Sequence, residues 1–176
     1  AWLESTPGAG TTVHLEFPVA DGVPEPVAPA RATAVPERGH GHVLVAEDEP
    51  DVRALLRRTL QDAGYVVTEA EHGVAALEAY LDHAAQGKRI DALVSDVRMP
   101  RMNGHDLARA LRAEEPGLAV VLVTGYDDVA IDGGADPDGV RTVAKPFGPE
   151  ALVRALGDAL HDAATARALA ADDVGR

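Results

Sequence analysis

Cysteine is absent from the 176-residue chain, which excludes both a disulfide framework and a thiolate metal site. Aromatic residues make up only 3% of the sequence while hydrophobic residues make up 46%, so any core must be built from Val, Leu and Ala. Positive charge is scarce too: 16 Lys and Arg face 29 Asp and Glu, a formal net charge of -13. Nucleic acid and anionic membranes are therefore poor direct partners, because phosphate groups need cations to neutralise them.

The sequence also lacks long apolar runs and a signal peptide. We therefore expect a reducing, cytoplasmic setting without direct membrane contact. The length allows one ordinary domain plus appendages. Because the first residue is Ala1 rather than Met, we expect the chain to begin inside a larger protein.

Residues 1–18 include the sequence PGAGTTVHLEFP, in which Val13, Leu15 and Phe17 alternate with polar residues. This period of two predicts a half-buried strand that follows a glycine turn, and one strand cannot form a domain. The segment resembles the terminal glycine box and last strand of histidine-kinase ATPase domains; a stray hairpin is the alternative. Since the other kinase boxes and the phosphodonor histidine motif are absent, the resemblance implies a remnant without a complete ATP site.

Residues 19–41 are rich in Pro, Ala and Gly, a composition that predicts a semi-extended linker. His40 and His42 stand at the end of this segment. Their glycine-rich surroundings and the lack of further ligands favour a solvated linker over a metal site.

From residue 42 onward, apolar runs alternate with stretches of helical periodicity. The pairs, in chain order, are HVLVA with VRALLRRTLQDA, YVVTEA with GVAALEAYLDHAA, DALVSD with HDLARALRAEE, LAVVLVTG with a weak YDDVAID, and VRTVA with PEALVRALGDALHDA. Strands this continuously apolar need helices on both faces. The pattern predicts an α/β fold over 42–162, a flavodoxin-like, doubly wound, five-stranded parallel sheet of order 2-1-3-4-5, and a helical or disordered tail over 163–176.

Two of the predicted helices have distinctive sequences. The first has its apolar face at Val52, Leu55, Leu56, Thr59, Leu60 and Ala63. The fourth falls on DDVAIDGGADPDG, which contains three glycines, one proline and five aspartates. This composition suits a long helix poorly, so we expect the fourth helix to be short or mobile.

Functional groups follow four of the five predicted strands, at the sheet edge where doubly wound proteins bind ligands. They are Glu47 and Asp48 after the first strand, Asp96 after the third, Thr124 after the fourth and Lys145 after the fifth. Three carboxylates within roughly 4 to 6 Å repel one another by several kcal/mol per pair at an effective dielectric of about 20, and one lysine cannot neutralise them. A divalent cation is therefore expected, and oxygen ligands with room for water favour Mg²⁺ over zinc.

The segments VLVAEDEP, LVSDVRMPRMNG, VLVTGY and KPF, in this order, resemble the motifs of response-regulator receiver domains, and the resemblance covers about residues 41–161. It implies that Asp96 accepts a phosphoryl group from a phosphohistidine and that Thr124 and Lys145 contact the phosphoryl oxygens. The Mg²⁺ ligands that it implies are Glu47, Asp48, Asp96 and the backbone carbonyl of Arg98. It also implies a cis peptide bond between Lys145 and Pro146.

The sequence departs from the receiver pattern at Thr142, where receivers usually carry Tyr or Phe three residues before the lysine. An aromatic switch is therefore unavailable there. Glu47 replaces the commoner Asp, and we expect it to act mainly through water.

Three other functions remain open. A pseudo-receiver would bind partners without phosphorylation. A haloacid-dehalogenase-type hydrolase would need Asp where the chain has Arg98. Flavin binding would need phosphate-binding amides where the loop after the first strand is acidic.

Together, the two resemblances suggest the carboxyl-terminal receiver of a hybrid histidine kinase, whose core is the first expected partner. A histidine phosphotransfer protein is the second. The resemblance is compatible with a membrane-anchored parent kinase, and it implies that this chain takes part in phosphoryl transfer without itself holding a complete kinase site. The sequence leaves the oligomeric state open.

Overall fold

The computed structural model of the protein describes residues 1–8, 10–17, 39–125 and 139–174. The chain divides into two units, Ala1–Val35 and Pro36–Arg176, which we describe separately. Most of the predicted linker lies outside the described residues. So does the predicted short or mobile fourth helix, apart from Gly139.

The N-terminal unit contains an antiparallel hairpin of β1 (Trp2–Thr6) and β2 (Gly10–His14). Its rings of Trp2 and His14 stack with centroids 4.6 Å apart. The predicted strand is present only as far as His14, so Leu15 and Phe17 lie beyond it. The predicted half-burial is wrong, because Val13, Leu15 and Phe17 are 60%, 62% and 78% exposed. A hairpin of two strands offers no second layer on which these side chains can pack.

The larger unit is built on a parallel sheet of five strands, which are β3 (His42–Ala46), β4 (Val66–Ala70), β5 (Ala92–Asp96), β6 (Ala119–Thr124) and β7 (Arg141–Ala144). Their order across the sheet is β4-β3-β5-β6-β7, and all four neighbouring pairs are parallel. Counted within this sheet, the order is 2-1-3-4-5. The predicted flavodoxin-like architecture is therefore confirmed.

Helices cover both faces of the sheet. They are α1 (Pro50–Asp62), α2 (Gly73–Ala85), α3 (Gly104–Glu114) and α4 (Pro149–Val174). Alternate residues of the strands enter two separate cores: Leu44 of β3 packs with residues of α2 and α3, whereas Val43 and Val45 pack with residues of α1 and α4. This division explains why the strand sequences are apolar at successive positions.

The apolar face of α1 is narrower than predicted. Leu56 and Leu60 are fully buried, but Leu55 is 56% exposed. At 100° per residue, Leu55 lies roughly 80° from the centre of the stripe formed by the other apolar positions of this helix, so it falls at the edge of the buried face.

The final helix continues through most of the predicted tail, as α4 ends only at Val174. Arg167 holds this extension against the domain, because its guanidinium donates a hydrogen bond to the carbonyl of Gly117 and lies 3.6 Å from Glu115. None of the described helices has the combination of length and apolar character that crossing a bilayer requires.

His42 is a structural residue of the sheet, so its placement in a solvated linker is wrong. It is the first residue of β3, and its Nε2 lies 2.8 Å from Oγ1 of Thr68 on β4. The same hydroxyl lies 3.4 Å from Nε2 of His83 on α2. Sequence periodicity did not reveal this contact, because it joins residues that are 26 and 15 positions apart.

Candidate functional site

Three carboxylates meet at the carboxyl edge of the sheet. Glu47 and Asp48 directly follow β3, and Asp96 is the last residue of the adjacent strand β5. Each can offer one oxygen such that the three oxygens all lie within 4.8 Å of one another. Glu47 and Asp96 are buried, whereas Asp48 is exposed, so the cluster is open to water on one side.

Lys145 brings the positive charge that faces this cluster. It directly follows β7, and its Nζ lies 3.1 Å from Oε2 of Glu47 and 3.3 Å from Oδ1 of Asp96. The Lys145–Pro146 peptide bond is cis, as the resemblance implies. The lysine therefore bridges the two buried acids, Glu47 and Asp96.

Burial and the charge of Lys145 act in opposite directions on the two buried acids. Burial raises the pKa of the Glu47 and Asp96 carboxyl groups above their ordinary values, even though Lys145 acts in the opposite direction on both. Burial alone lowers the pKa of Lys145, but the hydrogen bond to Glu47 and the charge of Asp96 outweigh it and raise that pKa. All three groups therefore bind protons more tightly than usual, the two acids because burial disfavours their charged forms and Lys145 because the acids favour its charged form.

Thr124 supplies a hydroxyl at the end of β6, the strand next to Asp96. Its Oγ1 is buried and has no hydrogen-bond partner among the described residues. A buried hydroxyl without a partner costs free energy, and an oxygen of a bound group can supply that partner.

The loop between β5 and α3 is held close to Asp96 by a glycine. A Cβ added to Gly104 would lie 2.3 Å from the carbonyl oxygen of Asp96 and 3.0 Å from Oγ of Ser95. The amide of Gly104 also donates a hydrogen bond to the carbonyl of Val97. The close approach of α3 to the end of β5 therefore requires glycine at this position.

The donor set fits a hard divalent cation. It consists of carboxylate oxygens with one exposed member, and no cysteine exists to form a softer site. Arg98, whose carbonyl was predicted as a further ligand, lies in the same loop two residues after Asp96, with its side chain exposed. Thr142 lies exposed on β7, at the edge of the sheet.

Arg53 contacts this site and was missed by the sequence analysis. Its Nη1 donates a hydrogen bond of 2.6 Å to the carbonyl of Glu47 and lies 3.4 Å from the carbonyl of Asp48. The signal in the sequence is a basic residue in the first turns of the helix that follows an acidic loop. It was hidden because arginine also occurs at positions 57 and 58 of the same helix.

A family model described as the response regulator receiver domain matches residues 43–157 of this chain, which include all of these site residues. The chain belongs to the response-regulator receiver family. Receiver domains of this family are parts of two-component signal transduction systems, and both the fold and the acidic cluster described above agree with this membership.

Several curated relatives match the receiver at 33 to 39% identity. The sensor protein EvgS of Escherichia coli K12 is 39% identical over 123 residues, which are 67% of this chain and 10% of EvgS. The response regulator receiver protein CpdR of Brucella abortus is 34% identical over 115 residues, 65% of this chain and 92% of CpdR. The sensor kinase CckA of the same species is 33% identical over 168 residues, 91% of this chain and 18% of CckA. This chain therefore spans a small part of the two sensor proteins.

The fold is also shared with solved receiver structures. The crystal structure of the receiver domain from the hybrid histidine kinase CckA superimposes with a TM-score of 0.56 at 30% identity, over 68% of this chain and 99% of that domain.

Proposed function

We propose that this receiver takes a phosphoryl group from a phosphohistidine onto the carboxylate of Asp96. The observation that carries the proposal is the convergence of one oxygen each from Glu47, Asp48 and Asp96 within 4.8 Å of one another, with Lys145 bridging Glu47 and Asp96. Glu47, Asp48, Asp96 and the carbonyl of Arg98 would hold Mg²⁺, which when bound neutralises charge on the phosphoryl oxygens.

The chain's own residues have distinct tasks in this reaction. An oxygen of Asp96 attacks phosphorus as the bond from phosphorus to the histidine nitrogen breaks, and the leaving imidazole carries away the bond electrons. Lys145 offsets negative charge on the transferred group, and the unpartnered hydroxyl of Thr124 donates a hydrogen bond to one of its oxygens. No general base is needed, because Asp96 reacts as the carboxylate.

Phosphoryl uptake by the full chain tests this proposal. We expect intact-mass spectrometry after incubation with Mg²⁺ and a small phosphodonor to show one added phosphoryl group on the wild type and none on Asp96→Asn. Asp82→Asn, a change of the same kind at an exposed position of α2, should behave as the wild type. Uptake by neither the wild type nor the control would contradict the proposal and favour the pseudo-receiver.

We also propose that the receiver belongs to a hybrid histidine kinase and acts on the cytoplasmic side, where ATP supplies the phosphoryl group. The match to CckA supports this. It covers 91% of this chain, whereas the receiver model covers residues 43–157, so the match must include most of the segment upstream of the receiver. The hairpin over residues 2–14 would then be the last part of the kinase ATPase domain. The kinase core, and a histidine phosphotransfer protein downstream, would be the partners.

The coding sequence upstream of Ala1 tests this parentage. We expect an uninterrupted reading frame that encodes a phosphoacceptor histidine motif and the remaining ATP-binding boxes. A start codon or an in-frame stop codon directly upstream would contradict the hybrid-kinase origin while leaving the receiver chemistry untouched.

A further inference from the structure

A side chain of the following helix donates hydrogen bonds to the backbone of the acidic loop after β3, which contains Glu47 and Asp48. Arg53 lies on α1, and its Nη1 donates a hydrogen bond of 2.6 Å to the carbonyl of Glu47, with the carbonyl of Asp48 3.4 Å away. A hydrogen bond from a charged donor is among the stronger kinds. The guanidinium therefore acts on the backbone of the two acids and not on their carboxylates.

The other groups of Glu47 are held as well. Its amide donates to the carbonyl of Ala70, its Oε1 accepts from the amide of Glu49, and its Oε2 accepts from Lys145. Arg53 satisfies the remaining group, the carbonyl. Within the described residues, the side chain of Asp48 is exposed and its carbonyl lies 3.4 Å from Nη1 of Arg53.

We propose that Arg53 is a positioning residue that orders the Glu47–Asp48 backbone so that both carboxylates point toward the ion. The inference rests on the function proposed above. Groups that orient ligands without touching the metal typically change metal affinity by about 10 to 100-fold when removed. Because Arg53 acts through the backbone, its loss weakens Mg²⁺ binding while leaving the attacking carboxylate of Asp96 intact.

Titration calorimetry of the full chain with MgCl₂ tests this role. We expect Arg53→Met, which keeps the aliphatic stem, to bind Mg²⁺ about tenfold more weakly than the wild type. Arg53→Lys should lie between the two, because an ammonium retains the charge but not the planar donor geometry. Phosphoryl uptake by Arg53→Met should return to near the wild-type rate once Mg²⁺ is raised to saturation.

Arg57→Met is the matched control. Arg57 lies one turn further along α1 and pairs with Glu69 at 3.1 Å, so its loss removes the same charge from the same helix without touching the loop. We expect less than a twofold change in Mg²⁺ affinity for this variant. If Mg²⁺ affinity fell equally in Arg53→Met and Arg57→Met, the loss would be an effect of net charge alone, and the proposal would be overturned.

A second readout does not depend on the metal. Amide hydrogen exchange of Asp48 and Glu49 in metal-free protein should be faster in Arg53→Met than in the wild type, and unchanged in Arg57→Met. Unchanged exchange in Arg53→Met would overturn the positioning role. If the wild type neither binds Mg²⁺ nor takes up phosphoryl, the proposed function fails, yet exchange still reports whether Arg53 orders the loop. Should Arg53→Met not fold, Arg53→Lys carries the same two comparisons.

Discussion

Two buried carboxylates, those of Glu47 and Asp96, share the ammonium of Lys145. Glu47 and Asp96 are almost fully buried, and both lie within 3.3 Å of its Nζ. Removing one partner of such a group leaves the remaining charges without compensation.

We therefore expect Lys145→Met to lower the free energy of unfolding of the metal-free protein by about 1 to 3 kcal/mol at neutral pH, as measured by urea denaturation. Lys88→Met is the control, because Lys88 is the only other lysine and its ammonium donates a hydrogen bond to the exposed side chain of Gln86. That variant should change stability by less than about 0.5 kcal/mol. Equal losses in the two variants would show that Lys145 does not compensate the buried acids.

At the same scale, sequence patterns predict which residues meet better than they predict how those residues are held. Strand ends in a doubly wound sheet share one edge, so the meeting of Glu47, Asp48 and Asp96 was predictable. Their roles in phosphoryl transfer remain proposals. The contact of Arg53 with the Glu47 carbonyl was not predictable, because it depends on the side-chain conformation of one of several arginines on α1.

At the scale of secondary-structure elements, a hydroxyl between two histidines joins β3, β4 and α2. Burial lowers the pKa of His42 from its ordinary value of 6.5, the charge of His83 and that of Lys88 act in the same direction, and Asp91 opposes them. A histidine whose pKa is lower in the folded state binds protons more readily when unfolded. The stability that neutral His42 contributes is therefore complete above about pH 6.5, and it is lost as the pH falls through the folded-state pKa of His42.

We expect the wild type to lose stability in urea denaturation as the pH falls from about 7.5 to about 5.5, and His42→Gln to lose less over the same range. His161→Gln, at an exposed position of α4, should follow the wild type. If the stability of His42→Gln fell with pH as steeply as that of the wild type, the pH dependence would come from other groups.

The junction between β5 and α3 sets the second test at this scale. We expect Gly104→Ala to destabilise the protein by about 1 to 3 kcal/mol, because the new methyl group would collide with the backbone of Asp96. Gly157→Ala on α4 meets no atom within 4 Å and should instead stabilise by about 0.5 to 1 kcal/mol. Thermal unfolding measures both, and a neutral Gly104→Ala would show that α3 can move away from the strand without cost.

Helices and strands were predicted well where the hydrophobic periodicity agrees with the residues that begin and end an element. The sequence GVAALEAYLDHAA is α2 from its first residue to its last. Burial was predicted less well, because the exposure of Leu55 depends on the angle at which α1 meets the sheet, and that of Val13 on what lies over the hairpin. Neither the angle of α1 nor what lies over the hairpin can be predicted from the local pattern of apolar residues.

At the scale of the whole molecule, the net charge of -13 opposes compaction. Raising NaCl from about 0.02 M to about 0.5 M shortens the screening length from about 20 Å to about 4 Å, which weakens repulsion between distant acids. We expect the melting temperature of the metal-free protein to rise by roughly 2 to 5 °C.

Melting temperatures of Asp96→Asn at the same two NaCl concentrations distinguish general screening of charge from binding of Na⁺ at the acidic cluster. The same rise in this variant would identify general screening as the cause, and choline chloride should act as NaCl does. A rise that is confined to the wild type and to NaCl would contradict general screening.

The scarcity of lysine has a practical consequence for labelling this protein. An amine-acylating reagent meets two lysine side chains in this sequence, Lys88 and Lys145. The raised pKa and ion pairs of Lys145 keep it in the unreactive ammonium form, so among the lysines tags will collect at Lys88. The degree of acylation at Lys145 therefore reports, by peptide mapping, how firmly the acids around it hold that ammonium.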